Sequence, residues 1–331
     1  MVKEIYKDIY TFEVALPNSA LKQLNSYIVK GEDRSFLIDT GYNNPESKES
    51  LLDGIKSLGL ELSDLDLVIT HLHADHSGLV SMFYDAGCKV YASKIDGDYF
   101  NSMATGAYDK LISSFVDLYG IDHNEIDVSD NAYYNNRLDH EIDFIELKPG
   151  DELTVGDFTF EVVDLAGHTP GHIGLFDRDK KIIFSADTVL DPITPTIAFW
   201  GFDHKNILGT YIDTLTRIRA MDIDLMYTSH GKIIKNHLDR TNEIIHHHYV
   251  RMQEILNALD NENEFTVKDI ITKINWRFKV DSWDDLEKHQ KWYTSGETMS
   301  HMELLAGLGY LEMRLDDNTL KFKKIKNRII E

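Results

Sequence analysis

The stretch His71-Leu72-His73-Ala74-Asp75-His76 puts three imidazoles and a carboxylate into six residues, directly behind the apolar run Leu65-Asp66-Leu67-Val68-Ile69-Thr70. Side chains alternate along an extended backbone, so a strand ending at Thr70 leaves His71 and His73 on one side. Asp75 and His76 then open the next element, with Ser77 or Asp75 available to cap a helix. The first two histidines converge on one cation while Asp75 and His76 turn toward a second, about 3.5 to 4 Å away, the spacing of two-metal hydrolytic sites. A lone histidine on an apolar face is ordinarily a hydrogen-bonded core residue. Four such groups at this spacing read instead as half of a metal centre.

The other half has to come from later in the chain, and three residues qualify, each behind a strand-like apolar run. His168 follows Phe158–Leu165 and sits in Gly167-His168-Thr169-Pro170-Gly171-His172. Asp187 follows Lys181–Ala186, and His230 follows Asp224–Ser229 and precedes Gly231. Together these motifs closely resemble the metallo-β-lactamase superfamily over residues 1–240. The resemblance implies an α/β fold, an αββα sandwich of two mixed sheets covered by helices, with the ligands on loops along one edge. It further implies that His71, His73 and His168 hold one metal, that Asp75, His76 and His230 hold the other, and that Asp187 bridges them. Two divalent ions follow, zinc foremost, with iron or manganese also suited to this donor set. Asp75 becomes the group that orients a metal-bridging hydroxide or receives its proton. Asp39, in Leu37-Ile38-Asp39-Thr40-Gly41, matches a strand-end carboxylate that accepts the second N–H of a metal-bound imidazole and fixes its tautomer. His172 falls at a position that supports the loop.

Within that superfamily, β-lactam hydrolases carry Cys or Ser in place of the bridging aspartate, and flavodiiron proteins carry Glu where His73 stands. Homoserine-lactone lactonases place a tyrosine three residues after the bridging Asp, where this chain has Leu190. Glyoxalase II follows that Asp with a Gly- and Arg-containing segment that is absent here. A glyoxalase-II-like hydrolase of an ester, thioester or lactone remains, needing no serine or cysteine nucleophile. A phosphodiesterase or phosphonate hydrolase is the second reading, and a non-catalytic binding module the third.

The 331 residues, 42% of them hydrophobic, suffice for one large domain and a small one. No apolar run is long enough to span a membrane, and the N-terminus alternates like a strand rather than a signal peptide. A cytoplasmic protein is expected, with a small-molecule substrate and no membrane partner; a homodimer stays open. The single cysteine, Cys88, excludes an internal disulfide. With 34 Lys and Arg against 56 Asp and Glu, the net charge of −22 opposes nucleic-acid binding.

Strands are expected at Ile5–Val14, Asn25–Val29 and Ser35–Ile38, and a helix from Pro45 to Leu58 stopped by Gly59. Residues 96–138 form an aromatic-rich helical insertion, with Tyr99, Phe100, Tyr108, Phe115, Tyr119, Tyr133 and Tyr134, that either covers the sandwich or caps the metal edge. Ile193, Phe199 and Trp200, beyond Asp187, are expected pocket walls. From 241 to 331 a separate C-terminal helical unit is expected: Ile244–Leu259, Thr266–Ile274, Trp283–Tyr293 and Gly296–Leu308 as helices, then a hairpin. That order resembles the winged-helix-like unit of some glyoxalase-II-like proteins. His246, His247 and His248 point about 100° apart on their helix and form no single-face site.

Overall fold

The structure, a computed structural model, describes residues 1–126, 132–278 and 282–329. Residues 127–131 and the side chain of Tyr133, within the aromatic-rich insertion, lie outside the described residues.

A first sheet holds seven strands side by side in chain order: β1 (Lys3–Tyr6), β2 (Ile9–Ala15), β3 (Gln23–Val29), β4 (Ser35–Ile38), β5 (Leu65–Val68), β6 (Val90–Ser93) and β7 (Ile145–Leu147). The expected single strand Ile5–Val14 is split by a turn in which Asp8 takes φ 62°. Short turns make β1 to β4 antiparallel, whereas β4 to β7 are parallel and need crossovers. The helices α1 (Pro45–Ser57), α2 (Ala74–Ser77), α3 (Val80–Asp85), α4 (Lys94–Ala104), α5 (Ala107–Leu118) and α6 (Ala132–Asn136) lie in those crossovers. Asn44 caps α1 by accepting from Ser47 N–H, Leu51 and Ile55 give it an inward face, and it stops before Gly59.

A second sheet runs β12-β11-β10-β9-β8, from β8 (Glu152–Val155), β9 (Phe158–Asp164), β10 (Ile173–Asp177), β11 (Ile182–Ala186) and β12 (Leu225–Thr228). Its one parallel pair, β11 and β12, is joined through α7 (Ile207–Arg219). Alternation decides which residues face inward: Phe158, Phe160 and Val162 of β9 are buried while Thr159 is exposed. These side chains meet Ile9, Tyr27, Val29, Phe36, Ile38 and Val68 of the first sheet in a core between the sheets. Helices cover the outer faces, and the fold is an αββα sandwich.

The C-terminal segment contains α8 (His237–Ala258), β13 (Glu264–Phe265), α9 (Val267–Ile271), α10 (Lys288–Gly307), β14 (Leu311–Asp316) and β15 (Thr319–Lys324), with β15 between β13 and β14. The helix expected from Ile244 begins at His237, where Asn236 caps it. The two helices expected at Trp283–Tyr293 and Gly296–Leu308 are instead a 3-10 turn at Trp283–Asp285 and one continuous α10. Gly296 stays helical, at an intrinsic cost of about 1 kcal/mol, because its bare Cα lets the chain at Ala198 approach. A Cβ there would stand 3.0 Å from that of Ala198. On α8, His246 is exposed, His247 half-buried and His248 buried, with Nδ1 3.0 Å from His301 Nε2.

One carboxylate ties the two sheets together at the edge where the motifs fall. Asp96, in the first turn of α4, accepts Leu72 N–H at 3.0 Å, Gly171 N–H at 2.7 Å and the Thr169 hydroxyl. Leu72 belongs to the loop after β5, and Thr169 and Gly171 to the loop after β9. Burial pushes the Asp96 carboxyl up to about 7, against those three donors.

Two outcomes are expected. Asp96→Asn puts an amide N–H against a backbone N–H, of Leu72 or of Gly171, that can only donate, so it should lose about 1–3 kcal/mol in urea denaturation. A folded-state pKa above the unfolded value stabilises below the unfolded pKa and is lost as pH rises through the folded one. The wild-type advantage over Asp96→Asn should therefore shrink from pH 5 to pH 8; an advantage that grows would contradict this. Gly54→Ala adds a Cβ 2.3 Å from the Phe12 ring. Overpacking of about 1–3 kcal/mol should outweigh the helix-propensity gain of about 1 kcal/mol, so a more stable variant would refute this packing.

Candidate metal centre

His73 stands at the N-cap of α2 without a side-chain capping bond. The cap expected from Ser77 or Asp75 is not made. Asp75 lies in the first turn and faces the cluster, and the Ser77 hydroxyl donates to Leu72 O at 2.8 Å. His71 Nε2 lies 3.1 Å from His73 Nδ1, and His168 Nε2 lies 3.0 Å from the same atom. On the other side, His230 Nε2 and His76 Nε2 lie 3.3 and 3.8 Å from Asp75 Oδ2. Asp187 stands between the two sets, 3.6 Å from the Nε2 atoms of His76, His168 and His230. Three groups could each hold an ion: His71 with His73 and His168, His71 with His76 and Asp187, and Asp75 with His76 and His230, the ligand atoms of each within 4.8 Å of one another.

The outward nitrogens explain why the inward ones are bare. His76 Nδ1 lies 2.8 Å from Asp39 Oδ2, His168 Nδ1 is 3.0 Å from Thr196 O, and His230 Nδ1 is 2.8 Å from Gln23 O. Each partner accepts the Nδ1–H and turns Nε2 into the cluster, where the neutral ring would offer a cation its lone pair. Asp39 is itself fixed by Thr70 N–H and the Thr70 hydroxyl, at 2.9 and 2.8 Å. His172 lies outside all three groups; its ring stacks on His71 at 4.7 Å, and its Nδ1 is 3.4 Å from Thr188 Oγ1. The glycine after His230 is required by space as well as by φ 80°, since a Cβ at Gly231 would lie 2.1 Å from Asp191 O.

The electrostatics suit a cation. Burial, then the neighbouring imidazoles, holds His71 well below the usual histidine range and His73 down at about 3, so both rings are neutral. Burial would raise Asp75, but His76 and His230, both pushed up toward the charged form against burial by the carboxylates around them, outweigh it and hold the carboxyl at about 2, a positive charge that a bound cation would replace. Asp187 is held low in the same way, burial being outweighed by His230, His76 and His168. His76 Nε2, His230 Nε2 and Asp187 Oδ1 are buried with no hydrogen-bond partner among the described residues. Buried polar atoms are ordinarily satisfied, and a divalent ion is the partner that convergent lone pairs and carboxylates fit.

Aromatic residues wall one side. Trp200 packs 6.2 Å from the His73 ring and donates from Nε1 to His168 O at 3.3 Å, and Tyr99 and Tyr108 of the insertion pack on Trp200 at 5.7 and 6.3 Å. Phe199 turns instead into the helices, 5.2 Å from Phe115 and 6.4 Å from Tyr119. Ile193 is half-buried, and its carbonyl is clamped by Arg240 of α8. Sequence reasoning missed Asp96 and the carbonyls of Gln23 and Thr196. Only Asp96 had a signal, Ser93 three residues ahead in a capping pattern, and that signal points to a cap rather than to a loop tie.

Residues 21–230 match the model of the metallo-beta-lactamase superfamily. The "Probable metallo-hydrolase YqjP" of Bacillus subtilis is 23% identical over 97% of this chain and 99% of its own length. The hydroxyacylglutathione hydrolase GloC of Haemophilus influenzae is 28% identical over 59% of this chain and 80% of its own. The chain spans only 61% and 60% of the lactamase-like proteins vrtG of Penicillium aethiopicum and adaB of Aspergillus niger. The crystal structure of a metallo-beta-lactamase family protein from Thermus thermophilus superposes with a TM-score of 0.82 at 20% identity, over 97% of this chain and 100% of that one. With its fold, its ligand cluster and a family match over most of its length, the chain belongs to the metallo-β-lactamase superfamily, as a metal-dependent hydrolase of that fold.

Proposed function

We propose that this centre holds two divalent ions, one on His71, His73 and His168 and one on Asp75, His76 and His230 with Asp187 between them, and that it hydrolyses an ester or thioester. One observation carries the reading. The Asp187 carboxylate lies 3.6 Å from three imidazole nitrogens of two different ligand groups, and one of its oxygens has no hydrogen-bond partner among the described residues. When bound, ions at such a site polarise a carbonyl oxygen and bring the pKa of water toward neutrality.

The chain's own residues supply the rest. Asp75, held ionised, accepts a hydrogen bond from the attacking water and orients it. Trp200, Tyr99 and Tyr108 form an apolar wall beside His73 that excludes bulk water and suits an uncharged acyl group. The likeness to GloC, whose name specifies an acylglutathione substrate, supports a thioester. The net charge of −22 disfavours polyanions.

Metal analysis of protein purified without chelators should find two ions per chain; one ion in metal-replete protein would reject the dinuclear reading. Asp187→Ala should lose both metal and activity, whereas His172→Ala should cost only about 1–3 kcal/mol of stability. Thioesters, aryl esters, lactones and phosphodiesters, assayed with Zn²⁺, Mn²⁺ and Fe²⁺, test the substrate class. Turnover of thioesters or esters is expected, and turnover confined to phosphodiesters would overturn the acyl assignment.

A further inference from the structure

The outward nitrogens of His76, His168 and His230 each meet an oxygen that accepts, which decides where a neutral ring keeps its hydrogen. His71 belongs to two of the three ligand groups, and its outward nitrogen meets a hydroxyl instead: Nδ1 lies 3.1 Å from Thr70 Oγ1. A hydroxyl donates one hydrogen and also accepts, so by itself it leaves the tautomer of a neutral imidazole undecided.

The surroundings remove every other freedom of His71. Its backbone is pinned on both sides by carboxylates, Thr70 N–H donating to Asp39 Oδ1 at 2.9 Å and Leu72 N–H to Asp96 Oδ2 at 3.0 Å. Its buried ring lies 4.7 Å from that of His172, with 16° between the planes. What remains is the ring hydrogen. Thr70 Oγ1 also lies 2.8 Å from Asp39 Oδ2, and a carboxylate only accepts, so the single hydroxyl hydrogen is committed to Asp39. Thr70 can then meet His71 only as an acceptor. With its hydrogen on Nδ1, the neutral His71 ring has a bare Nε2, the atom 3.1 Å from His73 Nδ1. A Thr70 hydroxyl free to donate would send that hydrogen to Nε2, where it would block a cation. The same Asp39 oxygen meets His76 Nδ1 at 2.8 Å.

We propose that Thr70 is a positioning residue whose hydroxyl carries the orienting effect of Asp39 on to His71, so that one carboxylate sets an imidazole in each of the two ion sites, His76 directly and His71 through Thr70. This rests on the two-ion reading above. A hydroxyl does the work without burying a second charge beside Asp39.

Thr70→Val keeps the shape of the side chain and removes the hydroxyl, while Thr70→Ser keeps the hydroxyl. In full-length protein stripped of metal and labelled with nitrogen-15 histidine, NMR of the ring nitrogens should show wild-type His71 with its hydrogen on Nδ1 and a bare Nε2. The His71 signals are identified by their absence from His71→Gln. Thr70→Ser should show the same ring, and Thr70→Val a mixture of both tautomers. Zinc binding, measured by competition with a chelator, should weaken about 10- to 100-fold for one ion in Thr70→Val, the loss that follows removal of a partner orienting a metal-bound imidazole. In Thr70→Ser it should stay near the wild-type value. A wild-type His71 with its hydrogen on Nε2 overturns the proposal, and that measurement needs no variant to fold. Equal zinc affinity in wild type and Thr70→Val overturns it too, as does an equal loss in Thr70→Val and Thr70→Ser. A wild type that binds a single ion would reject the two-ion reading, while the His71 tautomer, read without metal, would still decide the part played by Thr70.

Discussion

Electron pairs facing electron pairs are the constraint on which this structure depends. His71, His73 and His168 bring ring nitrogens to 3.0–3.1 Å, and Asp187 sits 3.6 Å from three imidazole nitrogens, that of His168 among them. Nothing in a folding chain draws the imidazoles of His71, His73 and His168 together, since each loses solvent and repels or ignores the others. They have to be pushed there by structure that is satisfied elsewhere. Hence Asp39 adopts φ 60° to meet both Thr70 and His76, one carboxylate at Asp96 closes two loops, and Gly231 leaves room for a carbonyl. The sandwich core bears the energetic cost of its own polar edge.

Much of that edge could be read from the chain because each ligand follows a strand, and strands announce themselves by alternation or by a short apolar run. Phe158-Thr159-Phe160-Glu161-Val162 is such a case, and the histidine it leads to falls where the pattern stops. The fold class followed from the same signals. What stayed hidden has common physical causes. Backbone carbonyls such as those of Gln23 and Thr196 orient imidazoles through atoms that every residue carries, so they leave no mark in composition. The continuity of α10 through Ser295-Gly296 is a tertiary effect, propensity being overridden by contact with Ala198. Neighbouring aromatics diverge for a similar reason: Trp200 joins the metal edge and Phe199 the helical layer, a choice set by loop geometry rather than residue type.

The walls of the site come from segments that are not part of the sandwich. The insertion contributes Tyr99 and Tyr108, and α8 and α10 fasten the stretch from Leu190 to Phe199 through Arg240, Gly296 and Ser300. The sheets hold the ligands while these additions shape what reaches them, so changes to the additions alter selectivity with little cost to the centre.

The candidate ligands divide by sheet. His71, His73, Asp75 and His76 follow β5 of the first, and His168, Asp187 and His230 follow β9, β11 and β12 of the second. An ion shared between the two sets would cross-link the layers and close chain loops of about a hundred residues. In chain-entropy terms that resembles a disulfide of the same span, which removes about 4–5 kcal/mol of freedom from the unfolded ensemble. A chain whose one cysteine, Cys88, is buried and unpaired has no covalent way to make such a link. With such an ion bound, that edge would also be a clasp, a tie that exists only once both sheets have closed and whose loss would free the two layers from each other.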